Sequence, residues 1–512
     1  MLAASNTVLL LLGFAYRVLL GRLAGPEGLG VYTLVIQVYA IVMSICVAGL
    51  CVATTHMTAN LYARSDFAGI RRVARFAIVC FLALLFILAL PILSFREFIA
   101  ARILGDSRTA NALWMILLCI SLTGVENIFK SIFQGSRLVR YVAVSEVGEQ
   151  ILRIALVWML LKTYINGNHG VTAFLILLGM TLSEIYSVLF LNFSFSARFG
   201  HTKDKVPKTK GIRRSFLKIA VPAGLTSLLA NVFSSTAVVI FPSRLILAGY
   251  TRAEAVSSLG LISGMVMPIL ILPNAFVSAL CSLLMPSISA SIACGDFPDL
   301  TRKINKGIEA VGLLALPATA MLLPFVPMLC ALLFGQTAPP ALVWALALQA
   351  ITAYYLGLTI SILNGIGRQK QVLLLAAIGE VLQLTLVWIW TAMPKLHVYG
   401  YIAGMLCGDL FRVVAGFICL HSATHTRPRL FHAGIVPVAC AIILYACARL
   451  AFFGLVNQGV AVLTAILLSL FGCILLYLVL LRLLGVNVLS YLQRVVFITD
   501  ASQKRTAYSA EK

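Results

Sequence analysis

Charge is what this sequence has least of. Only 11% of its 512 residues are Asp, Glu, Lys or Arg, against roughly a quarter in soluble globular chains. That shortage excludes a chain built to present its surface to water. Short alternating polar and apolar segments, the mark of a transmembrane barrel strand, are also missing. The twelve cysteines show no C-x-x-C spacing and sit in or beside apolar stretches, so they read as small buried residues rather than a disulfide framework or metal site. No P-loop, metal-spacing motif or large external catalytic loop is present. The histidines (His56, His169, His201, His397, His421, His425 and His432) fall at the ends of apolar runs or in connectors. Enzymatic chemistry therefore has no visible foundation, and no catalytic residue, metal or cofactor is expected.

What the chain does have is apolar length. It is 61% hydrophobic with a mean hydropathy of +1.01. A spanning helix needs about 20 mostly apolar residues, and backbone in lipid must satisfy its own hydrogen bonds, so long runs imply helices. Reading between charged or Gly/Pro-rich breaks predicts an all-α polytopic membrane protein of about fourteen spans. They lie near 2–23, 31–60, 74–95, 110–134, 141–162, 170–195, 215–243, 256–291, 308–334, 341–366, 372–394, 399–420, 432–454 and 459–485. The first run has no basic region before it and no small-residue cleavage site after it, so it is read as a span rather than a removable signal peptide.

The net charge of +22 raises nucleic acid as a partner, but the cations lie in short connectors. Cations in such places set orientation and meet anionic lipid. Even-numbered connectors and the C-terminal tail hold 27 of the 39 Lys and Arg, with Lys130, Arg302 and Lys303 among them; odd-numbered connectors hold ten, and Arg153 and Arg412 sit inside spans. Both termini are thus expected in the cytoplasm, which an even span count also requires. The longest connector, about 196–214, is basic and expected to be mobile.

Shifting the sequence by about 230 residues lays its second half on its first. Asp66-Phe67 meets Asp296-Phe297, and Ser131-Ile132-Phe133-Gln134-Gly135 meets Ser361-Ile362-Leu363-Asn364-Gly365. Leu156-Val157-Trp158 meets Leu386-Val387-Trp388, and Gly148-Glu149 meets Gly379-Glu380 one residue off. Two six-span units starting on the same side make a parallel repeat, related by an axis along the membrane normal, as in transporters that rock one half against the other. The expected organisation is a first lobe at 1–200, a second at 201–430, two additional helices at 431–490 and a cytoplasmic tail at 491–512.

Several segments resemble stage V sporulation protein B and related polysaccharide-export proteins. They are Tyr16-Arg17, Gly21-Arg22-Leu23 and Gly25-Pro26-Glu27-Gly28-Leu29-Gly30-Val31-Tyr32, then Phe241-Pro242-Ser243-Arg244-Leu245 and Met285-Pro286-Ser287-Ile288-Ser289. Gln134-Gly135 and Glu149-Gln150-Ile151-Leu152-Arg153 fit as well. This family stands in a superfamily with lipid II flippases and multidrug/cation antiporters. The resemblance implies two six-helix lobes, two extra C-terminal helices and an undecaprenyl-pyrophosphate-linked saccharide as cargo. It departs from the family in lacking a short basic N-terminal leader.

Such a flippase has to shelter a pyrophosphate, which calls for arginines facing a chamber, since the guanidinium fork matches phosphate oxygens and stays charged. Arg22 closes the first span and Arg244 the seventh, in equivalent places once a gap is allowed. Both are candidate pyrophosphate ligands; the competing reading is a pair of interfacial arginines reaching for headgroups. Arg17 lies five residues before Arg22, roughly 140° around the helix, and is the weaker candidate. In the fifth span Glu146, Glu149 or Gln150, and Arg153 share a face, and Glu149 can pair with Arg153 at i, i+4. Glu380 and Gln383 are their counterparts, while Glu184 and the Asp409/Arg412 pair sit mid-span; Glu126 is less certain. Ionisable groups at that depth are costly unless paired or wet, so they mark either a substrate path or a structural ion pair.

The leading expectation is a lipid-linked saccharide flippase of the bacterial plasma membrane, working by alternating access on peptidoglycan or polysaccharide precursors, in cell-wall or spore synthesis. H⁺ or Na⁺ is its candidate coupling ion. Its expected partners are the cargo and membrane lipids, with no nucleic acid. The alternatives are a drug/cation antiporter of the same superfamily and a non-transporting scaffold for cell-wall synthesis.

Overall fold

A computed structural model describes residues 2–164, 167–200, 212–424 and 434–483. Among them every regular element is a helix. Part of the basic connector (201–211) and the tail expected at 491–512 lie outside the described residues. In chain order the principal helices are α1 (Leu2–Met43), α2 (Gly49–Ala63), α3 (Phe67–Ser94), α4 (Ala110–Gly135), α5 (Val139–Tyr164) and α6 (His169–Phe199). Then come α7 (Ile212–Leu247), α8 (Arg252–Gly260), α9 (Asn274–Ala293), α10 (Phe297–Leu322), α11 (Val326–Phe334) and α12 (Pro340–Gly365). The last are α13 (Gln369–Trp390), α14 (His397–Thr424), α15 (Val436–Asn457) and α16 (Val462–Leu483).

Among the described residues, twelve helices are long and apolar enough to cross a membrane, or thirteen if the bent pair α10 and α11 forms one span. The sequence count of fourteen differs for local reasons. The first two expected spans run together as one helical stretch, kinked at Gly25, where φ is +68° and Pro26 follows, and passing through a π-turn at Ser44–Ala48. The fifth span, α5, carries too many charges to register as apolar. The eighth is interrupted: α8 passes through a π-turn at Leu261–Val266 and a short helix at Met267–Leu270 before α9 begins. The ninth bends by 63° at its break.

The duplication is written into the backbone. Left-handed residues recur at matching positions: Ser65 and Gly295, Gly105 and Gly335, Arg137 and Gly367 all have positive φ. Asp66 caps α3 by accepting from Gly69 N at 2.6 Å, and Asp296 caps α10 by accepting from Asp299 N at 3.0 Å. An aspartate at this position satisfies one of the orphan N–H groups that begin every helix. Packing repeats too. Gly135 lets α4 approach the backbone of Thr55, and Gly365 lets α12 approach that of Met285. Gly179 of α6 lies against Val157, and Gly404 of α14 against Val387.

The chain packs as two compact units. One holds Met1–Met265 with Thr391–His397, the other Val266–Trp390 with Val398–Lys512. Inside the first unit, equivalent glycines of the two repeats face one another: a Cβ on Gly30 would fall 2.0 Å from the Val256 carbonyl oxygen, and one on Gly260 would fall 1.7 Å from that of Pro26. Inside the second, α15 and α16 are packed onto the end of α10 and the break after it through Met321, Phe325, Leu444, Phe452 and Ile466. The Tyr477 hydroxyl also donates to the Leu313 carbonyl.

Backbone cannot retreat from a new methyl group as a flexible side chain can. Gly260→Val is expected to lower stability by about 1–3 kcal/mol or more, read as an earlier thermal unfolding transition in detergent. Gly434→Ala, which meets nothing within 4 Å, is expected to leave that transition in place.

Candidate functional site: two buried ion-pair clusters

Helices α4, α5 and α6 of the first unit bring their charged residues together. Glu126 sits about two and a half turns before the end of α4, and Lys130 follows it on the same face. Glu146, Glu149 and Arg153 line one face of α5, and Glu184 lies midway along α6. Glu126, Glu149 and Glu184 are only 1%, 6% and 1% exposed. The Lys130 ammonium reaches Glu126 at 2.8 Å, Glu146 at 3.3 Å and Glu149 at 3.7 Å. Arg153 donates to Glu149, lies 3.9 Å from Glu184 and donates to Ser183 at 3.3 Å. The Ser187 hydroxyl donates to Glu126, and Cys119 faces Glu184 at 3.5 Å. Carboxylate oxygens of Glu126, Glu149 and Glu184 all fall within 4.8 Å of one another.

The second unit holds a smaller version. Arg412 of α14 donates to Glu380 and Asp409, and to the Gln383 amide oxygen at 2.9 Å. Gln349 of α12 donates to Asp409 at 3.1 Å. A lone charge buried this way is costly, so in both clusters each carboxylate is held against a cation, with the carboxylates outnumbering the cations.

Sequence reasoning named Glu149, Arg153, Glu184, Glu380, Asp409 and Arg412, and the structure groups them as two clusters of three with their neighbours. It counted Lys130 as a connector cation, and that assignment is corrected. Lys130 lies inside α4, and its flexible stem turns the ammonium inward to the carboxylates rather than out to headgroups. Lys303 is corrected likewise: it lies inside α10, 7% exposed, and donates to Ser291 at 2.7 Å beside Asp299. The i, i+4 spacing of Glu126 and Lys130 was the available signal.

Arg22 and Arg244 occupy corresponding places near two elbows of the chain. Arg22 precedes Gly25 (φ +68°) and Arg244 precedes Gly249 (φ +101°); Arg22 and Arg17 are exposed and Arg244 is half-buried. The first elbow is pinned by charge that the sequence reading had left in connectors. Glu27 accepts from Arg108 at 2.6 Å and lies 3.2 Å from His169, while Arg108 also binds Asp106. At the second elbow Tyr250 lies 3.3 Å from His397. His169 opens α6 and His397 opens α14, so each repeat touches its elbow through the first residue of its last helix.

Comparison with known proteins accords with this architecture. The MatE family model matches residues 2–159. Stage V sporulation protein B of Bacillus subtilis (strain 168) is 22% identical over 459 residues, covering 87% of this chain and 85% of that protein. Lipid II flippase MurJ of the same organism is 20% identical over 402 residues, 73% of each chain. Among solved structures, an inward closed conformation of lipid II flippase MurJ superposes with a TM-score of 0.69 at 15% identity, covering 94% of this chain and 98% of that one. An inward-facing multidrug resistance MATE family transporter of the MOP superfamily gives 0.65 at 18% identity, covering 81% and 94%. The relatives named for an activity are transporters and flippases, not enzymes.

Removing Arg412 strands two carboxylates. Arg412→Ala is expected to cost about 3–5 kcal/mol, measured as a drop in thermal unfolding temperature. Adding Asp409→Asn to Arg412→Ala is expected to recover part of it.

Along most of its length this chain is similar in sequence to stage V sporulation protein B and to lipid II flippase MurJ, and it shares the fold of the MurJ and MATE transporter structures.

Proposed function

We propose that the protein is a flippase that carries an undecaprenyl-pyrophosphate-linked saccharide across a bacterial plasma membrane by alternating access, with both termini in the cytoplasm. The observation that carries this reading is the reach of the likeness. The MATE transporter covers 81% of the chain, whereas the MurJ structure covers 94%, a surplus large enough to hold both α15 and α16. The flippase reading accounts for those helices, and the antiporter reading does not. In this reading residues 1–200 and 201–430 form the lobes, 431–490 the additional helices, and Arg22 and Arg244 hold the pyrophosphate, with Arg17 as an auxiliary cation.

A second feature favours a lipid as cargo. An apolar groove of about 650 Å³ runs along α10, α12 and α15, lined by Thr319, Trp344, Leu348, Ile442 and Tyr445. Its walls are suited to a hydrocarbon chain and offer little to a polar drug cation. The antiporter reading also needs carboxylates open to an exchangeable ion, and both clusters already hold Lys or Arg.

Complementation of a bacterium depleted of its lipid II flippase tests the reading, scored by lipid-linked precursor accumulating inside the cell. Clearance of the precursor by this chain is the expected result; accumulation despite normal membrane insertion points to the antiporter or the scaffold. Arg244→Ala is expected to lower clearance at least tenfold with insertion intact, and Arg244→Lys to restore only part of it, because an ammonium lacks the bidentate fork.

A further inference from the structure

Three carboxylates whose oxygens converge within 4.8 Å have the spacing that one oxygen-coordinated cation requires, since such ions sit about 2.0–2.6 Å from each ligand. In this protein a cation already stands there. Lys130 Nζ contacts Glu126 at 2.8 Å and Glu149 at 3.7 Å, with Glu146 completing its surroundings at 3.3 Å. Arg153 covers the remaining side, bonded to Glu149 and 3.9 Å from Glu184. These ammonium and guanidinium groups are bonded to the chain and cannot diffuse away.

The second repeat reaches the same end by a different route. Gly179 on Val157 and Gly404 on Val387 fix the register between the repeats. Five residues beyond each glycine stand Glu184 and Asp409, so these carboxylates are equivalent. Four residues before each valine stand Arg153 and Gln383, and eight beyond each glycine stand Ser187 and Arg412. The guanidinium that neutralises the shared carboxylate thus comes from α5 in one repeat and from α14 in the other. The two repeats share the neutralised carboxylate, not the residue that neutralises it. A cation fixed to the wall is common to both, and its point of attachment is free to move.

We propose that Lys130, beside Glu126 and Glu149 and with Arg153 covering Glu184, is a tethered counter-ion in the cation position these three carboxylates form, so that this cluster takes no metal cation and gains the capacity to bind one when the lysine is removed. The role is that of a specificity-determining residue: it fixes which ions the carboxylates can exchange. It does not depend on the identity of the cargo.

The test is thermal unfolding of the purified full-length protein in detergent, with NaCl titrated against choline chloride at constant ionic strength. For the wild type the two salts are expected to give superimposable curves. Lys130→Met, which keeps the stem and removes the charge, is expected to show a saturable Na⁺-specific rise of about 2–4 °C. That rise is expected to vanish in Lys130→Met/Glu126→Gln. A Na⁺-specific rise in the wild type that Glu126→Gln abolishes overturns the proposal, because a metal would then bind beside the lysine. A folded Lys130→Met without any Na⁺ response overturns it as well. Should Lys130→Met fail to fold, the double variant is expected to recover folding by removing one unbalanced carboxylate, and failure to recover would refute the counter-ion role.

Discussion

Everything in this structure answers to the cost of holding charge away from water. Hydrocarbon stabilises neither a carboxylate nor a guanidinium, so any ionised side chain at mid-helix needs an opposite charge on a neighbouring helix. Glu126, Glu149 and Glu184 obtain theirs from Lys130 and Arg153, and Glu380 and Asp409 obtain theirs from Arg412. These pairs fix which helices are neighbours. Helices α4, α5 and α6 are drawn together by the first cluster, and α12, α13 and α14 by the second. Apolar packing alone discriminates weakly among helices that are greasy on every side, whereas a buried carboxylate with a single available cation specifies its partner.

The fold was legible because duplication leaves its mark in several independent ways. The repeated Asp-Phe pairs mark the same place in each half, and there both aspartates cap a helix. The final glycines of the Ser131–Gly135 and Ser361–Gly365 segments sit where helices approach a neighbouring backbone. The span count was less legible, since hydropathy reports how apolar a stretch is but not whether a helix bends within it. The 63° bend that divides 308–334 falls at a break holding Pro324, with Pro327 just beyond it, a signal that hydropathy does not weigh, and the charges of α5 hide a helix that packing shelters.

The ionic clusters were half visible. Glu149 with Arg153 and Asp409 with Arg412 advertise themselves by helical spacing. Lys130 offered only its i, i+4 spacing from Glu126, because a lysine near the end of a span otherwise has the same sequence signature whether it turns outward to headgroups or inward to an acid. Only the placement of α5 beside α4 decides the matter. The elbow contacts of Glu27, Arg108 and His169 were invisible for a related reason: they join residues from three separate connectors, and sequence distance carries no information about such meetings.

The facing glycines of the first unit have an evolutionary consequence. Gly30 presses on the backbone at Val256, and Gly260 on the backbone at Pro26, so each copy of the ancestral half is a mould for the other. A side chain gained on either one has no compensating mutation opposite, since a main-chain carbonyl cannot be trimmed by substitution. After duplication the halves were free to diverge in charge, yet at this seam they remain bound to a common ancestor's shape.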